Sequence, residues 1–116
     1  MIKGMAFVAY PVSDIARSVA FYKDTVGLHP AGLSSEYWVE FAAGDMTFGV
    51  GRAEGLGIAP GSAFSAAFEV DDVAQMRERL VSRGVEVTEM REGPVCISCF
   101  ATDPDGNRFA SHQRKG

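Results

Sequence analysis

The chain carries one pattern twice, and that repeat limits the fold more than any other feature. Phe7-Val8-Ala9-Tyr10-Pro11-Val12-Ser13-Asp14-Ile15 is answered by Ser65-Ala66-Ala67-Phe68-Glu69-Val70-Asp71-Asp72-Val73. Each run is apolar, ends in Val, passes one residue, and reaches Asp followed by a branched aliphatic side chain. Each leads into apolar residues at helical spacing and stops at a glycine, Gly27 or Gly84. A unit repeated at this length is a supersecondary module. Modules of about 55 residues are marginal alone, so the two must pack together. The 116 residues then make one domain: module one over 1–51, a connector over 52–61, and module two over 62–116.

The same order of elements is expected in each module. In module one a strand over residues 2–12 presents two apolar faces, both of which need cover. Ser13 or Asp14 caps a helix whose stripe is Ile15, Val19, Tyr22 and Val26. Gly27 ends it. A weak strand over 28–34, a strand over 37–42, a tight turn at Ala43-Gly44-Asp45 and a returning strand over 46–50 follow. Gly55, Gly57, Pro60 and Gly61 break the periodicity of the connector. In module two, strands are expected over 63–70, 85–90, 95–101 and 108–113. The helix begins at Asp71 or Asp72 with the stripe Val73, Met76 and Leu80. The string Asp103-Pro104-Asp105-Gly106-Asn107 makes the last turn. Both modules read β-α-β-β-β, an α+β class.

Composition excludes several functions. The net charge is −4, and Lys and Arg are scattered apart from Arg114-Lys115, so no basic stripe suits nucleic acid. No run of about 18 apolar residues exists to span a membrane. Met1-Ile2-Lys3-Gly4 lacks the apolar core and cleavage site of a signal peptide, and a cytoplasmic location is expected. Cys96 and Cys99 stand three apart on one strand, so they point to opposite sides and a disulfide between them is not expected. No glycine-rich loop joins a strand to a helix to hold phosphate, and no serine–histidine–aspartate set is visible.

Three groups of residues resemble the vicinal oxygen chelate superfamily, which includes glyoxalase I, bleomycin-resistance proteins and extradiol dioxygenases. They are Val12-Ser13-Asp14 with Ser18, Phe21-Tyr22 and Gly27-Leu28; Phe68-Glu69-Val70-Asp71-Asp72-Val73; and Asp103-Pro104-Asp105-Gly106-Asn107. The resemblance covers nearly the whole chain. It implies two βαβββ modules, each curling into part of a barrel, with a cavity between modules of one chain or of two subunits. It leaves function open, because lyases, isomerases, dioxygenases and plain binders share this fold.

The resemblance also implies where a divalent metal would be held, on the first and last strand of each module. Five residues before Val12 and Val70 stand Phe7 and Ser65. Four residues after Gly44 and Gly106 stand Phe48 and Ala110. Phe and Ala have no donor atom, and a serine hydroxyl is a weak ligand. No metal site and no cofactor are expected from this set. His112 shares the face of Ala110 and is the one candidate acid or base, although a strand-end histidine is more often structural. His29 is expected in a surface turn. Trp38 and Glu40 share a face, and Glu69 belongs to the cavity side of its strand. The expected ligand contacts are Phe7, Trp38, Glu40, Phe48, Ser65, Glu69, Ala110 and His112. Together they would form an aromatic pocket with carboxylates, suited to a planar or cationic organic molecule. A metal-free binding protein is the leading expectation. A lyase or isomerase with an atypical site and a dimeric scaffold with a filled cavity are the alternatives. A homodimer is expected because a lone chain exposes strand edges.

Overall fold

A computed structural model describes residues 1–116. Module one builds strand β1 (Val8–Val12), helix α1 (Ile15–Ala20) running into a π-helical stretch (Phe21–Val26), then β2 (His29–Ser34), β3 (Trp38–Ala43) and β4 (Met46–Arg52). A short helix α2 (Ala53–Leu56) lies in the connector. Module two builds β5 (Ala66–Glu69), α3 (Val73–Ser82), β6 (Arg91–Glu92), β7 (Cys96–Thr102) and β8 (Arg108–Arg114). The strand orders are β1-β4-β3-β2 and β5-β8-β7-β6. In each sheet the first strand pairs parallel with the last, and the remaining pairs are antiparallel.

The helix caps follow from the aspartates. Asp14 accepts from the Arg17 amide at 3.0 Å, and Asp72 accepts from the Gln75 amide at 3.1 Å. Gly27 closes the first helix in the left-handed region at φ 99°, where a side chain would be strained.

Strand alternation divides each sheet into two faces. Val8, Tyr10, Val12, Val39, Phe41, Phe48 and Val50 face the helices, and all but the half-buried Val8 belong to the buried cluster. Phe109 and Ala101 do the same in sheet two. The helix faces of both sheets share this one core. Phe48 meets Phe68 at 5.2 Å between ring centroids, and Tyr22 meets Phe109 at 5.9 Å. Burying each such side chain contributes about 1.5–3 kcal/mol, which neither module could collect alone.

Polar groups lock the seam. The Tyr10 hydroxyl donates to the Arg108 carbonyl at 2.6 Å and accepts from the Ala66 amide at 2.8 Å. The buried Tyr22 hydroxyl donates to Asp103 at 2.7 Å. Burial, then the Asp103 carboxylate, pushes the Tyr22 phenol far above its ordinary range. Asn107 spans both modules, donating to the Pro11 carbonyl and to Asp103 and accepting from the Ala63 amide.

Some expected strands are shorter. Residues 1–7 lie outside β1, whose pairing with β4 begins at Val8 and Phe48. In place of a strand over 85–90, a single bridge joins Val87 to Ala101, and the strand residues are Arg91 and Glu92. The Thr88 hydroxyl takes the Phe100 amide that a regular ladder would have used. No helix is long and apolar enough to cross a membrane.

Candidate functional site

The face of sheet one opposite the helices carries Phe7, Ala9, Pro11, Trp38, Glu40, Gly49 and Gly51. Register sets Trp38 opposite Gly51 and Glu40 opposite Gly49. The indole of Trp38 lies flat over the two glycines. A Cβ placed on Gly49 would stand 2.9 Å from the indole Cζ2, and one on Gly51 would stand 2.8 Å from its Cε3. Both are closer than any ordinary carbon contact. Phe7 meets the indole edge-on at 5.0 Å. The indole N–H donates to Glu40 at 2.9 Å, and the other Glu40 oxygen accepts from the Leu33 amide at 3.1 Å. These two donors, the indole first, hold the Glu40 carboxyl below the usual carboxylate range. Two clefts flank the indole: one of about 540 Å³ beside Tyr37, Arg52 and Leu56, and one of about 500 Å³ beside Phe7, Leu33 and Glu40. Trp38 is therefore a fixed aromatic plate with open space on either side and a carboxylate at its polar edge.

The corresponding face of sheet two carries Ala67, Glu69, Ser98, Phe100, Ala110 and His112. Glu69 stands opposite His112. Its Oε1 lies 2.6 Å from His112 Nδ1, and its Oε2 accepts from the Arg114 amide at 2.8 Å. Those contacts, that of His112 first, hold the Glu69 carboxyl below its ordinary range. Glu69 borders a cleft of about 620 Å³ between the modules, whose lining includes Phe48, Ser65, Ala67 and His29.

Placement corrects two expectations. Phe48 does not belong to the open face with Phe7. It is buried in the core at 2% exposure, edge-on to Tyr10 at 5.1 Å. The residue matching Ala110 is Gly49: Ala9 pairs with Gly49 as Ala67 pairs with Ala110, and Ala9 and Ala67 both stand three before the repeated Val. Counting four from each turn glycine misses this because β4 begins at Met46 on the face of Phe48, whereas β8 begins at Arg108 on the face of Ala110. His29 is the first residue of β2 and not a turn residue, although it is exposed.

The metal positions that the fold implies thus read Phe7, Gly49, Ser65 and Ala110. This set holds one hydroxyl and no imidazole, thiolate or carboxylate, so it does not fit a divalent cation. No three His, Cys, Asp or Glu side chains gather anywhere in the chain. In addition, the Trp38 ring covers Gly49, where a ligand side chain would have to stand. The glycine floor escaped the sequence reading. Its available signal was Gly49-Val50-Gly51 within a strand, a spacing that marks close approach of another group.

Residues 4–110 match a known family model, that of the Glyoxalase/Bleomycin resistance protein/Dioxygenase superfamily. The chain belongs to this superfamily. Its solved relatives include TnmS3, an antibiotic binding protein from Streptomyces sp. CB03234, with TM-score 0.85 and 27% identity over 98% of both chains. A glyoxalase/bleomycin resistance protein from the same Streptomyces matches at TM-score 0.83 and 28% identity, over 95% of this chain and 100% of that one. A lactoylglutathione lyase from Agrobacterium tumefaciens shares the fold, at TM-score 0.81 and 20% identity over 97% and 94%. None of the curated proteins matches the chain. The superfamily fold is thus the one expected from the repeat.

Proposed function

We propose that this protein binds a planar organic cation without a metal ion, on the open face of sheet one. The observation that carries this reading is the Trp38 plate: an indole seated on Gly49 and Gly51, walled by Phe7, with the ionised Glu40 carboxylate at its edge. A flat π-surface beside a fixed negative charge attracts flat, positively charged molecules by stacking and by charge pairing. The antibiotic binding protein among the relatives supports a small organic ligand. The single hydroxyl among Phe7, Gly49, Ser65 and Ala110, with no imidazole, thiolate or carboxylate, supports binding without a metal. Phe7, Leu33 and Tyr37 leave apolar surface exposed around the plate, and a second copy of the chain is the partner we propose to cover it.

The test uses Trp38, the sole tryptophan of the chain, as its own reporter. Titration with proflavine, a planar cation, should quench its emission. Calorimetry on Trp38→Ala should show the affinity reduced about tenfold or more, the equivalent of roughly 1.4 kcal/mol. Undisturbed emission, or calorimetric binding that survives Trp38→Ala, defeats the proposal. Sedimentation at micromolar concentration should give twice the chain mass, and a monomer would remove the partner from the reading.

A further inference from the structure

The pair His112 and Glu69 lies on a different sheet from Trp38 and is not needed for stacking. It lies at the surface, with the His112 side chain 29% and the Glu69 side chain 52% exposed. Glu69 is anchored at both oxygens, one at His112 Nδ1 and one at the Arg114 backbone amide, so its carboxylate cannot swing away without giving up two hydrogen bonds. An ionised carboxylate only accepts hydrogen bonds, and the 2.6 Å contact therefore requires the proton to sit on Nδ1. The tautomer is then set by Glu69. In the neutral ring, Nε2 carries a bare lone pair, and no other group of the chain bonds to it. On the same face Ala110 and Ala67 pair side by side, Phe100 pairs with Ala110, and Ser98 pairs with His112. Glu69 and the exposed Ala67 border the 620 Å³ cleft between the modules, which opens on the β5 side of the pair; His112 and Ala110 do not line it.

The geometry points to a second anchor: His112 Nε2, oriented by Glu69, accepts a hydrogen bond from a hydroxyl of the bound molecule. The ligand class this adds is a hydroxylated aromatic, a phenol or naphthol, with its ring against the exposed Ala67 and its O–H directed at the imidazole. Glu69 acts as a positioning residue and does not touch the ligand. This inference rests on the reading above only in taking the chain to bind an organic molecule; it needs no contribution from Trp38.

Two measurements test it. The chain has two histidines, so long-range proton–nitrogen spectra assign His112 by comparison with His112→Ala. At about pH 9, well above the ordinary imidazole range, the spectrum should show a protonated Nδ1 and a bare Nε2. Glu69→Gln should shift the ring toward a mixture of tautomers, which a merely structural contact would not do. The opposite tautomer in the unmodified protein overturns the inference. Second, 2-naphthol should bind about fivefold more tightly than 2-methoxynaphthalene, which has no proton to donate. His112→Ala should abolish that difference while leaving proflavine quenching of Trp38 unchanged. Equal binding of the two naphthalenes, or a preference that survives His112→Ala, overturns the hydroxyl anchor. If neither naphthalene binds while proflavine still quenches Trp38, the hydroxyl anchor falls and the planar-cation reading stands.

Discussion

Gly49→Ala places one methyl group against the Trp38 indole. The ideal Cβ would lie 2.9 Å from Cζ2, 3.1 Å from Cη2 and 3.4 Å from Cε2. Ordinary carbon contacts begin near 3.5 Å, so the ring must retreat by roughly 0.6 Å or more at its near edge. Retreat strains the hydrogen bond from the indole to Glu40 and the edge contact with Phe7. Overpacking of this kind costs about 1–3 kcal/mol. Replacing a strand glycine recovers about 0.5–1 kcal/mol of backbone entropy. The net loss should be about 0–2.5 kcal/mol, or up to roughly 10 °C in thermal midpoint for a chain of this size. In a Trp38→Ala background the clash is gone and the same substitution should become neutral or stabilising. The two changes should therefore couple by about 1–3 kcal/mol in a double-mutant cycle. Thermal unfolding of the four proteins at one fixed concentration measures this, and Trp38 emission in Gly49→Ala reports the displaced ring. A cost that is the same with and without the indole refutes the plate geometry.

Further outcomes follow from the same contacts. Tyr22→Phe leaves Asp103 in the seam with one fewer donor, so it should cost about 2 kcal/mol and lower the thermal midpoint; an unchanged midpoint would deny the buried bond. The Glu40 carboxyl is held below its ordinary range, so its grip on Trp38 is complete above that range and is lost as pH falls through the lowered value. Trp38 emission should therefore stay constant down to about pH 4, the ordinary carboxylate value, and change only below it. Glu40→Gln should remove that acid step. Added zinc or nickel at about a tenfold excess should leave the thermal midpoint unmoved, and purified protein should carry no stoichiometric metal in elemental analysis. A midpoint raised by either ion would show a donor set other than the one described.

Much of the architecture was legible along the chain because it depends on local chemistry. The repeated Val-x-Asp marks two strand ends and two helix starts, since an aspartate after a strand caps whatever helix follows. The apolar spacing of Ile15, Val19, Tyr22 and Val26 places one helical stripe against a sheet. The superfamily follows from that order of elements. That Phe7 and Ala110 have no donor atom and Ser65 only a hydroxyl was equally readable, because no fold supplies an atom that the residue type does not have.

Other features depend on register and on distance in space, which no local pattern records. Whether Phe48 or Gly49 stands beside Ala9 turned on one residue in a hairpin, and a shift of one reverses the face of every side chain. The irregular stretch before β6 depends on the Thr88 hydroxyl meeting the Phe100 amide across the sheet. Trp38 meets Gly49 and Gly51, and Glu69 meets His112, across strands that hydrogen bonding brings together. The residue types alone settle what chemistry this chain can and cannot offer; the pairing of its strands decides which groups stand close enough to use it.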